Sequence, residues 1–262
     1  MIKLQIVVLC KDNVMELEST LDSLPLDHSL LNLNYLFIDG SSTESCNLLI
    51  EERCINKFQY QYFNTRLVGV HGIYPSMNFA LSKLDSDWCI FMNSGDNFYR
   101  SFQFSLLLKM INSAPSAQCI FVTCEVNSRC GFSWFMPSPR IKKIDNWCKY
   151  FEPSHQSMFV KSDLATKYNF LEQATIGADS LWKRSIISNC CFIFLNRPVS
   201  SFFLGGISST YSFALLQKKC SEKSRRPYEK LMEIVKYILY SFGLFTPQLQ
   251  FFRSEFFAFF FR

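Results

Sequence analysis

An apolar run ends abruptly in small polar residues in the stretch Phe91–Tyr99, which reads FMNSGDNFY. The run begins at Trp88, and bounded apolar runs of this length are typical of buried strands. Open sheets bind ligands just beyond the carboxyl ends of their strands. Asp96, next to a glycine that lets a ligand approach the backbone, is therefore a candidate metal or phosphate residue. The alternative is an Asp in a strand-to-helix turn that caps the next helix.

Strands and helices alternate along residues 1–100. Apolar runs predict strands at 3–10, 33–38, 58–63 and 88–92, and helical spacing predicts helices at 14–24, 44–53 and 76–84. We expect a loop at 68–75 and an N-cap at Ser42 or Thr43. This order predicts a parallel sheet with helices on both faces. Because parallel strands end at the same edge, the acids after three of them, Asp12, Asp39 and Asp96, should converge on one cleft.

Composition excludes several classes of protein. The chain has 262 residues, of which 48% are hydrophobic, so a disordered chain is excluded. The net charge of +5 is mild and the basic residues are scattered, which argues against a nucleic-acid partner and weakly favours an anionic one. The 11 cysteines include no CxxC pair, and residues 1–10 form a strand rather than a secretory signal. We therefore expect a reduced, cytoplasmic protein without a membrane span.

The second half continues with less regular elements. We expect helices at 102–112 and 164–168, and strands at 119–126 and 191–195. Residues 152–160 are predicted to run from a polar turn into a strand, and residues 176–182 to place a carboxylate before a helix that continues to about residue 187. Residues 131–147 are predicted to be a loop or a meander, and residues 198–210 a loop. Residues 1–210 should thus form one domain, followed by a tail of different composition at 211–262.

The tail combines basic and aromatic residues. Residues 211–226 are polar and basic, residues 228–245 are amphipathic, and the end of the chain is rich in Phe. Basic residues followed by an aromatic amphipathic helix fit peripheral attachment to the inner face of the cytoplasmic membrane. A helix docked on the core, or in an oligomer, is the alternative.

Six short motifs occur in order between residues 37 and 208: FIDGSSTE at 37–44, GIYPSMN at 72–78, FMNSGD at 91–96, HQSMF at 155–159, ADSL at 178–181 and GGIS at 205–208. Each motif alone is weak, and their order carries the signal. On these motifs, residues 1–210 resemble the inverting family-two glycosyltransferases, which have the α/β fold called GT-A. The sequence is most similar to the bacterial enzymes that build colanic acid, capsule and the O-antigen of lipopolysaccharide.

This resemblance implies an activity. Residues 1–100 would bind a nucleotide-sugar donor, and residues 101–210 would bind a saccharide or lipid-linked saccharide acceptor. The sugar would move to an acceptor hydroxyl with inversion at the anomeric carbon. The loop with Gly205 and Gly206 would close on the substrate.

The resemblance also implies a divalent cation, Mg²⁺ or Mn²⁺, on the donor diphosphate. The family holds it with an acidic motif after the fourth strand, and here Asp96 is the one carboxylate of that motif. His155 is a further candidate to bind the metal or a phosphate. Its alternative role is structural.

Seven residues are implied in donor binding. Asp39 would bond to the base or ribose, with Asp12 in the same pocket. The loop that begins at Gly72 would lie over the donor. His71 would contact a phosphate, Gly72 would let the donor approach the backbone, and Tyr74 would stack on the donor or bond to it. Ser94 and Gly95, which directly precede Asp96, would lie beside the diphosphate.

Inverting transfer needs a base that takes the proton of the acceptor hydroxyl. The resembled family places that carboxylate at the start of a helix beyond the sheet, and Asp179 matches this position. Its alternative role is that of a helix N-cap.

Other functions remain open or are disfavoured. An inactive nucleotide-binding or membrane-associated scaffold derived from such an enzyme is the alternative function. A nucleotidyltransferase would carry a glycine-rich loop after the first strand, and a dinucleotide dehydrogenase would carry G-x-G-x-x-G there. Residues 10–13 read CKDN, without a glycine.

Overall fold

One mixed sheet forms the centre of the protein. The structure is a computed structural model that describes residues 1–26, 31–128, 131, 133–149, 151–174, 177–204, 213–221, 227–241 and 259. In these ranges the strands are β1 Ile2–Cys10, β2 Leu31–Asp39, β3 Tyr60–Asn64, β4 Trp88–Asn93, β5 Asn97–Phe98, β6 Cys119–Asn127, β7 Ser133–Met136, β8 Met158–Lys161 and β9 Phe192–Phe203.

The first four strands in space are parallel, as the sequence predicts. The sheet order is β3-β2-β1-β4-β8-β6-β9-β5, and β7 pairs with β6. β8 runs antiparallel to both β4 and β6, while β9 runs parallel to β6. The carboxyl ends of the parallel strands β1, β2 and β4 therefore lie at the same edge of the sheet.

Helices lie on both faces of this sheet. They are α1 Val14–Ser23, α2 Ser45–Cys54, α3 Ile73–Ser82, α4 Phe104–Ser113, α5 Ile144–Cys148, α6 Ser162–Ala165, α7 Ala178–Ser188, α8 Phe213–Ser221 and α9 Pro227–Ser241, with a 3-10 turn at His155–Ser157. None of the helices in the described ranges combines the length and apolarity that a membrane span requires.

Alternating side chains of each central strand enter two different cores. On β1, Ile6 and Val8 pack with α1, α2 and α4, whereas Val7 and Leu9 pack with α3, α6 and α7. Because side chains alternate across a strand, a sheet covered on both faces has strands that are apolar throughout. This is why β1 and β4 are continuous apolar runs in the sequence.

Three predicted loop regions contain regular structure. Residues 68–75 are not a loop throughout, because α3 begins at Ile73. Pro75 fits its first turn, where a backbone N–H has no acceptor within the helix. Residues 131–147, predicted as a loop or a meander, contain β7, which pairs antiparallel with β6, and α5. The loop predicted at 198–210 is wrong up to Phe203, where β9 ends. The rest of that prediction, including Gly205–Ser208, lies outside the described residues apart from Leu204.

One helix prediction also needs correction. The helix predicted at 164–168 ends earlier, at Ala165, and the chain continues in turns bonded to Ser162 and Leu164. In the tail, the polar segment 211–226 contains the helix α8. α8 contacts α9 through an ion pair between Lys219 and Glu233, with 2.8 Å between Nζ and Oε2.

Candidate functional site

The loops after β1 and β2 are tied together at the carboxyl edge. Cys10 pairs with Asp39 in the strand register, and Leu9 pairs with Asn93 on the other side. Asp12 has a positive φ of 49° and accepts bonds at Oδ1 from the Ser42 N–H (2.8 Å) and hydroxyl (3.0 Å). These bonds lower the pKa of the exposed Asp12.

Ser42 is therefore not an N-cap, and the predicted cap at Ser42 or Thr43 is wrong. The residue before α2 is Glu44, which makes no side-chain capping bond. The Ser42 side chain instead bonds to the loop after β1.

Asp39 is buried beneath these loops, with both oxygens in hydrogen bonds. Its exposed fraction is 0%. Oδ1 accepts from the Ser41 N–H and Oδ2 from the Tyr62 hydroxyl, both at 2.8 Å. A carboxylate oxygen has two lone pairs, so Asp39 keeps acceptor capacity in a fixed orientation.

The Asn93–Asp96 segment is a closed turn between two strands. The Asp96 N–H donates to the Asn93 carbonyl at 2.9 Å, and the Asn93 N–H donates to Asp96 Oδ2 at 2.7 Å. The next element is β5, and the residue before α4 is Gln103. Asp96 therefore caps no helix, and its carboxylate closes the turn after β4.

Asp96 is a buried carboxylate, and no residue of the described ranges gives it a cationic hydrogen-bond partner. Gln156 Nε2 donates to its Oδ2 at 2.8 Å. Burial raises the pKa of Asp96 to about 7, although the bonds from Gln156 and Asn93 act in the opposite direction. Such a raised pKa marks a place where a positive charge would be stabilised.

Ser94 and Gly95 fix this turn to its neighbours. The Gly95 N–H donates to the Glu16 carbonyl at 3.1 Å and to Thr20 Oγ1 at 2.9 Å, while Ser94 N–H donates to the Leu9 carbonyl at 2.8 Å. Gly95 has a φ of +90°, and an added Cβ would lie 3.4 Å from the Glu16 side chain. Glycine is needed at this position for its conformation and for its close packing on α1.

His155 lies between the Asp96 turn and Asp179. Asn93 Nδ2 lies 3.1 Å from His155 Nε2, and His155 Nδ1 lies 4.0 Å from Asp179 Oδ2. Burial lowers the pKa of His155 to about 4, so the ring is neutral at pH 7. Because the Asn93 amide donates to Nε2, the ring proton is on Nδ1 and faces Asp179.

Asp179 lies in the first turn of α7, after Gly177, which occupies the N-cap position. Its Oδ2 is 3.6 Å from Lys183 Nζ, and the same ammonium is 3.9 Å from Glu152 Oε2. Burial would raise the pKa of Asp179, but the Lys183 ammonium and the Ser180 backbone N–H outweigh it and hold the pKa below its usual range. Asp179 is thus an ionised, partly exposed carboxylate that is not the N-cap.

Three residues around Asp96 and Asp179 were not predicted as site residues from the sequence. Lys183 has an exposed fraction of 7%, and its i,i+4 spacing from Asp179 was a usable signal. Gln156 stands within the quoted motif HQSMF. Glu152, which also contacts Ser180 and Arg184, has no local signal because it comes from another segment of the chain.

The structure gives different surroundings to the three residues near position 72 that are predicted to contact the donor. His71 lines an open groove of about 520 Å³ with Asn78 and Glu172, and Gly72 precedes α3 with a φ of +104°. Tyr74 instead points into the core, with an exposed fraction of 7%, and stacks on Phe170. Its hydroxyl accepts the Gly177 N–H at 2.9 Å, so it positions the start of α7.

Replacing Tyr74 with phenylalanine is expected to destabilise the fold by about 1–2 kcal/mol, because the Gly177 N–H loses its acceptor. Urea unfolding measures this loss. The control is Tyr60→Phe, whose hydroxyl has no hydrogen bond among the described residues. Equal stabilities of the two variants would contradict the positioning role of Tyr74.

A hard divalent cation fits the Asp96 turn. Asn93 Oδ1 is buried and has no hydrogen-bond partner among the described residues, and the Asp96 carboxylate lies in the same turn. Oxygen donors suit Mg²⁺ and Mn²⁺. His155 fits less well as a ligand because its Nε2 is engaged by Asn93.

A second group of possible metal ligands lies at the ends of β1 and β2. Among the described residues, it is the one group of three His, Cys, Asp or Glu side chains that lie close enough together to hold a metal, and its members are Cys10, Asp39 and Cys46.

Comparison with known proteins gives matches among solved structures. No family model matches the chain, and no curated protein matches it. A crystal structure of S. aureus TarS 1-349 superposes with a TM-score of 0.59 at 12% identity, covering 92% of this chain and 72% of that chain. The same fragment in complex with UDP-GlcNAc gives a TM-score of 0.60 at 14% identity, covering 91% and 72%.

This chain has the fold of TarS. The GT-A type fold predicted from the sequence is therefore confirmed, with its mostly parallel sheet between layers of helices. A further TarS 1-349 structure, in complex with UDP, gives a TM-score of 0.57 at 12% identity and covers 95% of this chain and 74% of that chain. In a longer TarS structure the matching part is 43% of the TarS chain.

Proposed function

We propose that this protein is an inverting glycosyltransferase that moves a sugar from a nucleotide-sugar donor to an acceptor hydroxyl. One observation carries the proposal. Asp179 is held ionised by Lys183 beside the neutral His155, and Asn93 connects His155 to the buried Asp96. This arrangement supplies a base and a candidate diphosphate site together. The TarS fold supports the proposal, because TarS structures contain UDP-GlcNAc and UDP.

In the proposed reaction, Asp179 takes the proton of the acceptor hydroxyl. The oxygen attacks the anomeric carbon on the face opposite the leaving group, and the bond from that carbon to the diphosphate breaks. Inversion follows from this single displacement. Lys183 keeps Asp179 ionised, and the Nδ1–H of His155 faces the carboxylate.

On the donor side, Asp39 would accept a hydrogen bond from the base or ribose, at the edge where open sheets bind nucleotides. Asp12, in the loop after β1, would contact the nucleotide in the same pocket. His71, which lines the open groove beside α3, and Gly72, which precedes α3, would contact the donor. Ser94 and Gly95 would shape the diphosphate site by holding the turn to β1 and α1.

A Mg²⁺ or Mn²⁺ ion, held by Asp96 and Asn93 Oδ1 with substrate oxygens, would neutralise the departing diphosphate. The acceptor we propose is a growing bacterial surface polysaccharide, free or lipid-linked. The ordered motifs between residues 37 and 208 support this choice.

A thermal-shift screen against UDP-, GDP- and TDP-sugars tests the function. One class of donor is expected to raise the melting temperature, because a ligand that binds only the folded state stabilises it. The shift should be larger with Mn²⁺ than with EDTA, and Asp96→Ala should remove that difference. Absence of a shift with every donor would contradict the proposal. Donor binding without turnover on any acceptor would favour the inactive scaffold.

We also propose that α9 contacts the membrane surface. Four apolar residues at helical spacing are 38–59% exposed: Leu231, Ile234, Val235 and Ile238. Nearby in the sequence are the basic residues Lys218, Lys223, Arg225 and Arg226. A basic segment beside an exposed apolar stripe suits an anionic interface.

The full chain is accordingly expected to co-float with phosphatidylglycerol vesicles, and Leu231→Glu with Ile238→Glu should abolish this binding. Gln217→Glu, a charge change on exposed α8, is the control and should retain it. A wild-type chain that stays at the bottom of the gradient would rule out the membrane contact.

A further inference from the structure

Two cysteines and a carboxylate meet at the carboxyl edge of the sheet. Cys10 ends β1, Asp39 ends β2 and Cys46 lies in the first turn of α2. Their Sγ and carboxylate oxygen atoms all lie within 4.8 Å of one another. The three residues are 5%, 0% and 1% exposed, so the cluster is inside the protein.

The separations suit a tetrahedral metal site. With Zn–S bonds of about 2.3 Å and Zn–O bonds of about 2.0 Å, tetrahedral ligand atoms lie roughly 3.5 Å apart. Side-chain movements on the order of 1 Å would bring the cluster to that geometry. Two sulfurs and one carboxylate form a donor set that selects Zn²⁺ over Mg²⁺.

Neighbouring groups already orient the carboxylate. The Ser41 N–H holds Asp39 Oδ1 and the Tyr62 hydroxyl holds Oδ2, both at 2.8 Å. Outer hydrogen bonds of this kind fix the direction of metal ligands.

We propose that Cys10, Asp39 and Cys46 bind a thiophilic divalent cation of the Zn²⁺ class. The cation replaces the two thiol protons, which pass to solvent, and no electron transfer is involved. It joins the ends of β1 and β2 to the start of α2. The site shares no residue with the Asp96 turn and differs from it in metal preference. It shares Asp39 with the proposed donor pocket, but metal content is measured without a donor, so the two proposals can fail separately.

Metal content of the full chain, expressed in zinc-supplemented medium, tests the site. The wild type should retain a single equivalent of zinc after gel filtration, and Cys46→Ala should retain none. Cys54→Ala is the matched control, because Cys54 is buried in the same helix outside the cluster, and it should retain zinc. Cys190→Ala should also retain zinc, although Cys190 hydrogen-bonds with the buried Cys119.

X-ray absorption at the zinc edge of the wild type gives a second measurement that does not depend on any variant folding. Two sulfur neighbours with nitrogen or oxygen neighbours are expected. A zinc-free wild type, zinc retained in a folded Cys46→Ala, zinc lost only in Cys190→Ala, or a sulfur count other than two would each overturn the proposal.

Discussion

Asp179→Asn is expected to lower kcat by about 10²–10⁴-fold while donor affinity stays unchanged, because a positioned base contributes about that much to a proton transfer. The Asp179 carboxylate lies 4.0 Å from His155 Nδ1 and 3.6 Å from Lys183 Nζ, and within the described ranges no hydrogen bond or ion pair joins it to the Asp96 turn. Asparagine keeps the shape of the residue but cannot take up the proton. Steady-state turnover, with donor binding measured by calorimetry, separates the two effects.

The control for Asp179→Asn is Asp163→Asn. Asp163 is an exposed acid in the first turn of α6, so its replacement removes a similar charge from a helix start. It should leave kcat unchanged. Full turnover in Asp179→Asn would refute the base assignment, whereas loss of donor binding would place Asp179 on the donor side.

Lys183→Met is expected to move the acid limb of the kcat profile to higher pH. Lys183 Nζ lies 3.6 Å from Asp179 Oδ2 and holds the pKa of that carboxylate down. The base works only when deprotonated, so a higher pKa means that activity appears at higher pH. A pH–rate series on both proteins measures the shift.

The same substitution should reduce stability. The lowered pKa of Asp179 contributes stability that is present above its unfolded value of 3.8 and is lost as pH falls through the folded value. Removing Lys183 should cost roughly 2 kcal/mol near pH 7, less than for a fully buried pair because the Asp179 side chain is 32% exposed.

Arg184→Met is the matched control for Lys183→Met. Arg184 follows Lys183 on α7 and pairs with Glu152, but no ion pair joins it to Asp179 within the described residues. The acid limb of Arg184→Met should coincide with that of the wild type. Coinciding acid limbs for wild type and Lys183→Met would show that Lys183 does not tune the base.

Much of the sheet could be predicted because its strands are buried on both faces. β1 and β4 are apolar along their whole length, so they stand out without any knowledge of their neighbours. The sequence predicts a strand only for the first half of β9, because Pro198 is more typical of a loop. In the structure Pro198 pairs with Thr123 at a register shift, where a residue without an N–H is tolerated.

The candidate site was only partly predictable because its contacts join distant segments. The acids after β1, β2 and β4 follow from strand order alone. Glu152 and Lys183, by contrast, meet only after the chain folds, and no local pattern links them. Tyr74 stands in a recognisable motif, yet its burial against Phe170 depends on tertiary packing.

Asn93 belongs to both halves of the proposed site. Its backbone N–H holds Asp96 and its side-chain amide holds His155, which faces Asp179. A change at this residue therefore disturbs the leaving-group side and the proton-accepting side at once. In evolutionary terms, Asn93 is a point of epistasis: substitutions at Asp96 and at His155 are not independent of each other, because both depend on the geometry of this asparagine.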